Sequence, residues 1–161
     1  VRDAILLNYY NTWKFKHPNA NDFTRVAEKT SGIQLQWLKE YWVNSTKTID
    51  YGLNNIEVNA NNANAIISIQ RNGKFPMPIE VLVTYKDGTS ELHYIPLDLM
   101  LGAKSAEGSI KRMVHTEWQW VAPSYSFETS KPLSTLKSIE IDPSQRMPDI
   151  NRSNNKLEIP N

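Results

Sequence analysis

The spacing of apolar side chains changes once along this 161-residue chain. Over about the first 45 residues they recur every three or four positions, which is typical of helices that bury one face. From Ile66 onward apolar and polar residues alternate, as in β-strands that bury one face. No helical period returns between the strand patterns, which favours antiparallel pairing. The sequence therefore predicts an α+β chain, with about three helices in residues 1–47 and an antiparallel β-sandwich in residues 48–161.

The predicted helices are bounded by residues with recognised start and stop chemistry. His17-Pro18 ends the first helix, because proline disfavours helical backbone in the residue before it. Asn19 is a cap for the second helix, with Asp22 three residues on, and Gly32 ends that helix in a left-handed conformation. Such short helices are marginal alone, so we expect their apolar faces to need another surface. The predicted apolar faces are Leu6, Tyr10 and Trp13; Phe23, Val26 and Ala27; and Leu35, Leu38 and Trp42.

The clearest local prediction in the second region is a β-hairpin. Lys86-Asp87-Gly88-Thr89 joins two alternating runs, and Gly88 tolerates the positive φ that a tight hairpin loop requires. The interval 99–109 is compatible with an edge strand, a loop or a short helix. The apolar positions assigned to strand faces are Ile79, Val81, Val83 and Tyr85, then Leu92 and Tyr94, then Ile139 and Ile141.

Composition excludes several classes of site and partner. The 18 basic and 17 acidic residues give a net charge of +1, which supplies no electrostatic reason to expect nucleic acid or an anionic membrane. No run reaches the roughly 18 apolar residues of a membrane span, so no membrane insertion is predicted. The absence of cysteine excludes disulfides, thiolate zinc sites and cysteine nucleophiles. Because the sequence starts at Val1 with neither Met nor a secretion signal, we expect it to belong to a longer protein.

Two stretches of the helical region carry a family resemblance. Residues 22–32 read Asp-Phe-Thr-Arg-Val-Ala-Glu-Lys-Thr-Ser-Gly, and Leu35-Gln36-Trp37 leads on to Tyr41-Trp42. This order resembles the end of the catalytic domain in gluzincin aminopeptidases, a family of zinc metallopeptidases related to aminopeptidase N. The match departs at Gln34 and Gln36, where the family often has Asp. It also departs at Leu38-Lys39, which replaces a Phe pair.

The second region is similar to the small β-sandwich that follows the catalytic domain in some of these proteins. The resemblance implies a non-catalytic C-terminal region that braces the catalytic domain and its peptide cleft. It also implies zinc in the parent protein, the remaining peptidase domains as partners, and an extracytoplasmic location, periplasmic or at the cell surface. The segments that carry it are 71–73, 76–81, 87–88, 141–143 and 149–155.

The zinc chemistry of that family is not encoded in this chain. It needs two His one helical turn apart with a Glu beside the first. None of His17, His93 and His115 has a second His four residues away. We therefore predict no catalytic residue and no metal ligand among them, and expect lone His residues on polar strand faces to be solvated.

Two further groups of residues each admit a structural and a functional interpretation. Trp118 and Trp120 share a face if their segment is a strand, either filling the core or forming a platform for sugar rings, or a docking face for other domains. Asp142, Asp149 and Asn151 are weak calcium candidates because calcium prefers oxygen ligands, although Asx turns beside prolines account for the same residues. A carbohydrate-binding or adhesive surface module is therefore the alternative function.

Overall fold

The computed structural model describes residues 1–160. Its helices are α1 (Arg2–Trp13), α2 (Ala20–Ser31) and α3 (Gln36–Val43). Its strands are β1 (Tyr51–Val58), β2 (Asn64–Arg71), β3 (Ile79–Tyr85), β4 (Ser90–Ile95), β5 (Lys111–Val114), β6 (Ser124–Pro132), β7 (Leu136–Ile141) and β8 (Lys156–Glu158). Short 3-10 helices lie at Asp98–Met100, Leu133–Thr135 and Arg152–Asn154.

The strands form two sheets, and the α+β prediction is confirmed. One sheet has three strands in the order β1-β2-β6, and the other has five in the order β5-β4-β3-β7-β8. Strand pairing is antiparallel throughout the described strands except between β4 and β5, which run parallel. The architecture is that of a β-sandwich with one parallel edge strand.

The chain forms two compact units. The helical unit contains residues 1–46 together with 99–104, and the sandwich unit contains the described residues 47–98 and 105–160. The interval 99–109, for which the sequence leaves three possibilities, starts within a 3-10 helix and continues as a loop. Within the described residues, no helix has the length and apolar character needed to cross a membrane.

The boundaries of α2 follow the predicted capping chemistry, whereas α1 ends at Trp13, four residues before the predicted stop at His17-Pro18. The Asn19 side chain accepts hydrogen bonds from the backbone N–H groups of Asn21 and Asp22, and the Asp22 side chain accepts from the Asn19 N–H in return. This reciprocal pair satisfies N–H groups that a helix start otherwise leaves without partners. Gly32 then closes α2 at φ +76°, in the left-handed conformation that favours glycine.

The predicted apolar face of α1 is wrong in part. Leu6 and Tyr10 are exposed, and the half-buried side chains of this helix are Ile5, Tyr9 and Trp13, each four residues from the next. Tyr9 packs edge-on against Phe23 of α2, with ring centroids 5.1 Å apart. Apolar residues occupy two sides of α1, so spacing alone did not decide which side is buried.

The predicted hairpin is confirmed, and its register determines the inner face of β4. The Tyr85 N–H donates to the Thr89 carbonyl at 2.9 Å, and Gly88 has φ +84°. This register places Glu91 opposite Val83 and His93 opposite Val81. Since cross-strand partners lie on the same side of a sheet, the two polar residues share the inner face with the buried valines.

Candidate functional site

The densest group of titratable side chains in the sandwich unit surrounds the carboxylate of Glu91. This carboxylate is buried and accepts four hydrogen bonds. Its Oε1 atom accepts from the Tyr85 hydroxyl, from His93 Nε2 at 3.0 Å and from the Ser130 backbone N–H at 3.1 Å. Its Oε2 atom accepts from the Ser130 hydroxyl. Because Ser130 belongs to β6 and Glu91 to β4, the carboxylate connects the two sheets.

A second imidazole extends this group toward the edge of the sheet. His93 Nδ1 lies 2.8 Å from His115 Nε2, and the ring planes are 13° apart with centroids 5.1 Å apart. The nitrogens are closer than stacked rings allow, so the imidazoles meet edge to edge through a hydrogen bond. Phe127 of β6 packs against both rings, at 4.4 Å from His93 and 5.1 Å from His115. We call Glu91, His93 and His115 the relay.

The protonation of the relay follows from its partners. Burial opposes ionisation of Glu91, but hydrogen bonds from Ser130 and Tyr85 outweigh it and lower the pKa of Glu91 to about 2. Burial lowers the pKa of His93 to about 4, despite the hydrogen bond to Glu91, and burial also lowers the pKa of His115. Both imidazoles are therefore neutral at pH 7, beside an ionised carboxylate.

These charges assign the tautomers. The Glu91 carboxylate only accepts, so His93 carries its proton on Nε2 and presents Nδ1 as an acceptor. His115 then donates from Nε2 to that Nδ1 and keeps a lone pair on its own Nδ1. The relay is thus an ordered chain of hydrogen bonds from a half-buried imidazole to a buried carboxylate, in which each member orients the next.

The relay has the parts of a general base. A carboxylate that orients an imidazole is the arrangement by which hydrolases activate a hydroxyl group. What the geometry shows directly is a continuous set of hydrogen bonds that joins His115, β4 and β6.

The solvated environment expected for the lone histidines is wrong for His93, which has no exposed surface. His115 is half-buried, and only His17 is exposed. The expectation failed because both faces of β4 are buried, with Leu92 and Tyr94 on one face and Glu91 and His93 on the other. The sequence held a signal for the burial of His93, since the hairpin register pairs it with Val81.

The two tryptophans singled out from the sequence lie in different environments. The strand predicted through them ends at Val114, and Trp118 lies beyond it in a loop that makes an isolated bridge with Leu97. Trp118 is 3% exposed, donates from Nε1 to the Ala122 carbonyl at 3.0 Å and packs edge-on against Tyr51. It is therefore a core residue.

Trp120 occupies a turn two residues further on and is 43% exposed. Its backbone N–H donates to Asp98 Oδ1 at 3.1 Å, which fixes the turn. The neighbouring Val121 is also exposed. The two tryptophans therefore share no face, and only Trp120 presents its ring to solvent.

The calcium candidates are used as hydrogen-bond acceptors within the fold. Each carboxylate oxygen of Asp142 and Asp149 accepts at least one hydrogen bond, and Asn151 Oδ1 accepts from Ser153. These bonds tie the loop after β7 to itself and to β1. The donors are Ser144, Arg146, Met147 and Arg152 for Asp142, and Tyr51, Asn151 and Asn155 for Asp149.

The asparagine-rich loop after β1 closes around a single carboxylate. Asn59, Asn62 and Asn64 each donate a side-chain N–H to Glu128 of β6. These hydrogen bonds lower the pKa of Glu128, and the one from Asn62 contributes most. The loop is thereby fastened to the three-stranded sheet.

Comparison with known proteins does not add a family. No protein-family model, no curated protein and no solved structure matches this chain. Among the described residues, no three His, Asp or Glu side chains are grouped so as to hold a metal ion. The fold and the site define an α+β protein whose sandwich contains a buried carboxylate and imidazole relay.

Proposed function

We propose that this chain is a non-catalytic C-terminal region of a zinc aminopeptidase-like protein, and that its helical unit braces the catalytic domain beside the peptide cleft. The proposal rests on the apolar surface of the helical unit. Tyr10 is 62% exposed, and Leu6 and Leu7 beside it are also more than half exposed. Contiguous exposed apolar side chains of this kind are typical of interaction surfaces.

A groove between α2 and α3 adds a concave part to this surface. Its volume is about 200 Å³, and its lining is apolar apart from Thr24 and Lys39. Such a groove suits an apolar side chain or a short helix from a partner polypeptide. The remaining lining residues are Ala20, Phe23, Ala27, Leu35, Leu38, Trp42 and Val43.

Phe15 supplies a third apolar feature, at the end of α1. It is 99% exposed and has φ +63°, which is unusual for a bulky residue. The Lys16 N–H donates to the Trp13 carbonyl at 2.9 Å, and Lys16 Nζ donates to the Thr12 carbonyl at 2.9 Å. Both hydrogen bonds connect the residue after Phe15 to the end of α1 and so fix the turn. A projecting aromatic side chain on a fixed turn is suited to anchor an interface.

The segments of the helical unit that resemble gluzincin aminopeptidases cover most of α2 and α3. Residues 22–32 lie in α2 and its left-handed cap, and the stretch from Leu35 to Trp42 contains most of α3. In the family this stretch closes the catalytic domain, which fits a helical unit that adds to a larger apolar core. Peptides would then reach this chain only through the parent protein, outside the cytoplasm.

The first test is to sequence the gene upstream of the codon for Val1. The proposal expects His-Glu-x-x-His followed by a downstream Glu, because those residues form the zinc site of the family. An upstream region without this pattern would remove the zinc peptidase from the proposal. This chain alone should show no peptidase activity with added zinc, and zinc-dependent turnover would contradict the non-catalytic role.

The second test measures docking directly. The upstream polypeptide, produced separately, should bind this chain in calorimetry, and Leu7→Glu combined with Tyr10→Glu should weaken that binding at least about tenfold, since charges would enter an apolar contact. Asn11→Glu, at an exposed polar position of the same helix, is the matched control. Equal binding by the double variant and the control would contradict docking through α1.

A carbohydrate-binding surface is the second candidate, and one observation favours it. Trp120 presents an exposed aromatic ring beside Val121 on a turn fixed by Asp98. Aromatic rings of this kind stack on sugar faces. Binding on a glycan array that Trp120→Ala abolishes, without loss of folding, would support this function, and an array without binding would reject it.

A further inference from the structure

We propose that the hydrogen bond between His93 and His115 is an acid-operated latch. It holds β5 on the five-stranded sheet and releases this strand when both imidazoles are in the positively charged imidazolium form. This inference is independent of the proposed peptidase role. It concerns the sandwich unit alone.

The strand that the latch holds is a short edge strand of the sandwich. β5 has four residues, lies at the edge of the five-stranded sheet and pairs in parallel with β4. Parallel pairing is slightly less stable per residue than antiparallel pairing. His115 follows directly after β5 and makes two bonds to β4, from its backbone N–H to the Tyr94 carbonyl at 2.9 Å and from its imidazole to His93.

The geometry allows the pair one additional proton but not two. The first proton enters at His115 Nδ1 and leaves the Nε2–H donor in place, with the Glu91 carboxylate nearby to offset the charge. A second proton needs the lone pair of His93 Nδ1, which is the acceptor of the ring-to-ring bond. Two N–H groups then point at each other across 2.8 Å, so the rings must separate.

The charged groups around the pair favour this outcome in acid. On β5, the positive charge of Lys111 disfavours further charge on His93. On β3, Tyr85 donates to Glu91 and adds no negative charge. On β6, Phe127 and Ser130 face the relay, while Glu128 and Lys131 bond to the asparagine loop and to Asp87. Glu91 is thus the carboxylate available to offset the added protons, and it offsets one.

The experiment measures amide hydrogen exchange of the whole chain by NMR from pH 7 to pH 4, with the intrinsic pH dependence of exchange removed. As the pH falls, the amides of β5 and of His115 should lose protection at least about tenfold more than those of β3, since local opening precedes global unfolding. Equal loss in both strands at every pH would overturn the proposal.

Two histidine variants identify the titrating pair. His115→Gln retains an amide donor that does not titrate, so its β5 amides should stay protected to lower pH than in the wild type. His17→Gln is the matched control, because His17 is exposed, and its profile should equal that of the wild type. A His115→Gln profile that coincides with the wild type would show that the latch does not exist.

A measurement on the unmodified chain covers the case in which His115→Gln does not fold. The imidazole nitrogens of His93 and His115 should titrate at lower pH than an ordinary imidazole, and the chemical shifts of the β5 amides should follow the titration of the pair. If the chemical shifts of the β5 amides do not change with this titration, the proposal is also overturned.

Discussion

The inner faces of β2 and β3 are almost completely buried, whereas α1 has no buried residue. Ile67, Ile69, Val81 and Val83 have no exposed surface, which is characteristic of a closed core between two sheets. In the helical unit, Trp42 is 60% exposed and Tyr10 is exposed to a similar extent. The two units therefore distribute apolar surface differently: the sandwich unit buries it, and the helical unit exposes it.

This difference has a physical basis in the lengths and pairings of the elements. The central strands of the sandwich, β2, β3, β4 and β7, have a neighbouring strand on each side that completes their hydrogen bonds. Helices of 8 to 12 residues, as in α1, α2 and α3, bury little area each and depend on caps and partners. We expect the sandwich to supply most of the stability of the chain and the helical unit most of its interaction surface.

The largest predicted effect is in the sandwich. Trp118→Ala should lower the free energy of unfolding of the sandwich by about 3–5 kcal/mol, because it removes a buried indole and leaves a cavity beside Tyr51. Urea unfolding followed through the NMR intensities of β3 amides measures this loss. Trp120→Ala is the control and should cost less than about 0.5 kcal/mol, as exposed substitutions do. Equal losses for the two variants would contradict the assignment of Trp118 to the core.

The second prediction is a loss of sandwich stability in acid. His93 has a pKa lowered from its ordinary 6.5 to about 4, so the unfolded chain takes up a proton first as the pH falls. Stability is retained above pH 6.5 and is lost between 6.5 and about 4, by about 3 kcal/mol for this shift. Glu91 adds a further loss from its ordinary 4.5 toward about 2.

Urea unfolding at pH 7 and pH 4.5 measures this dependence. The same titration of the helical unit, followed through α2 amides, should show a smaller change, since the relay belongs to the sandwich unit. If the sandwich is as stable at pH 4.5 as at pH 7, the folded relay takes up protons as readily as the unfolded chain, and the prediction is wrong.

The third prediction concerns the cap of α2. Asn19→Ala removes the acceptor for two backbone N–H groups and should destabilise the helical unit by about 1 kcal/mol. Hydrogen exchange in the first turn of α2 is the measurement, and the β3 amides are the internal control. Faster exchange in β3 as well would show that the two units do not respond separately.

The features predicted correctly from the sequence are those that depend on neighbouring residues. The capping pair of Asn19 and Asp22, the left-handed Gly32 and the hairpin at Asp87-Gly88 are each fixed within a few positions. The relay was missed although part of it was accessible to the same reasoning. Once Gly88 sets the hairpin register, Glu91 and His93 fall opposite the valines already assigned to the core.

Other features depend on contacts between distant segments and have no local signal. The parallel pairing of β5 with β4 joins residues 20 positions apart, and the contact between His93 and His115 joins residues 22 positions apart. Trp118 is buried by Tyr51 and Tyr125, which lie on β1 and β6 of the three-stranded sheet. Alternation in the sequence around Trp118 suggested a strand, but these tertiary contacts place it in a loop instead.

The smallest predicted effect tests the apolar surface of α1. Leu7→Ser replaces an exposed leucine, so it should change the free energy of unfolding of either unit by no more than about 0.5 kcal/mol. Ile5→Ser, on the half-buried side of the same helix, is the matched comparison and should destabilise the helical unit by more, because it removes apolar contact. Thermal unfolding followed by α1 and α2 amide signals separates the two variants. If Leu7→Ser costs as much as Ile5→Ser, then α1 buries both sides in solution and the chain has already covered the surface that we assign to docking.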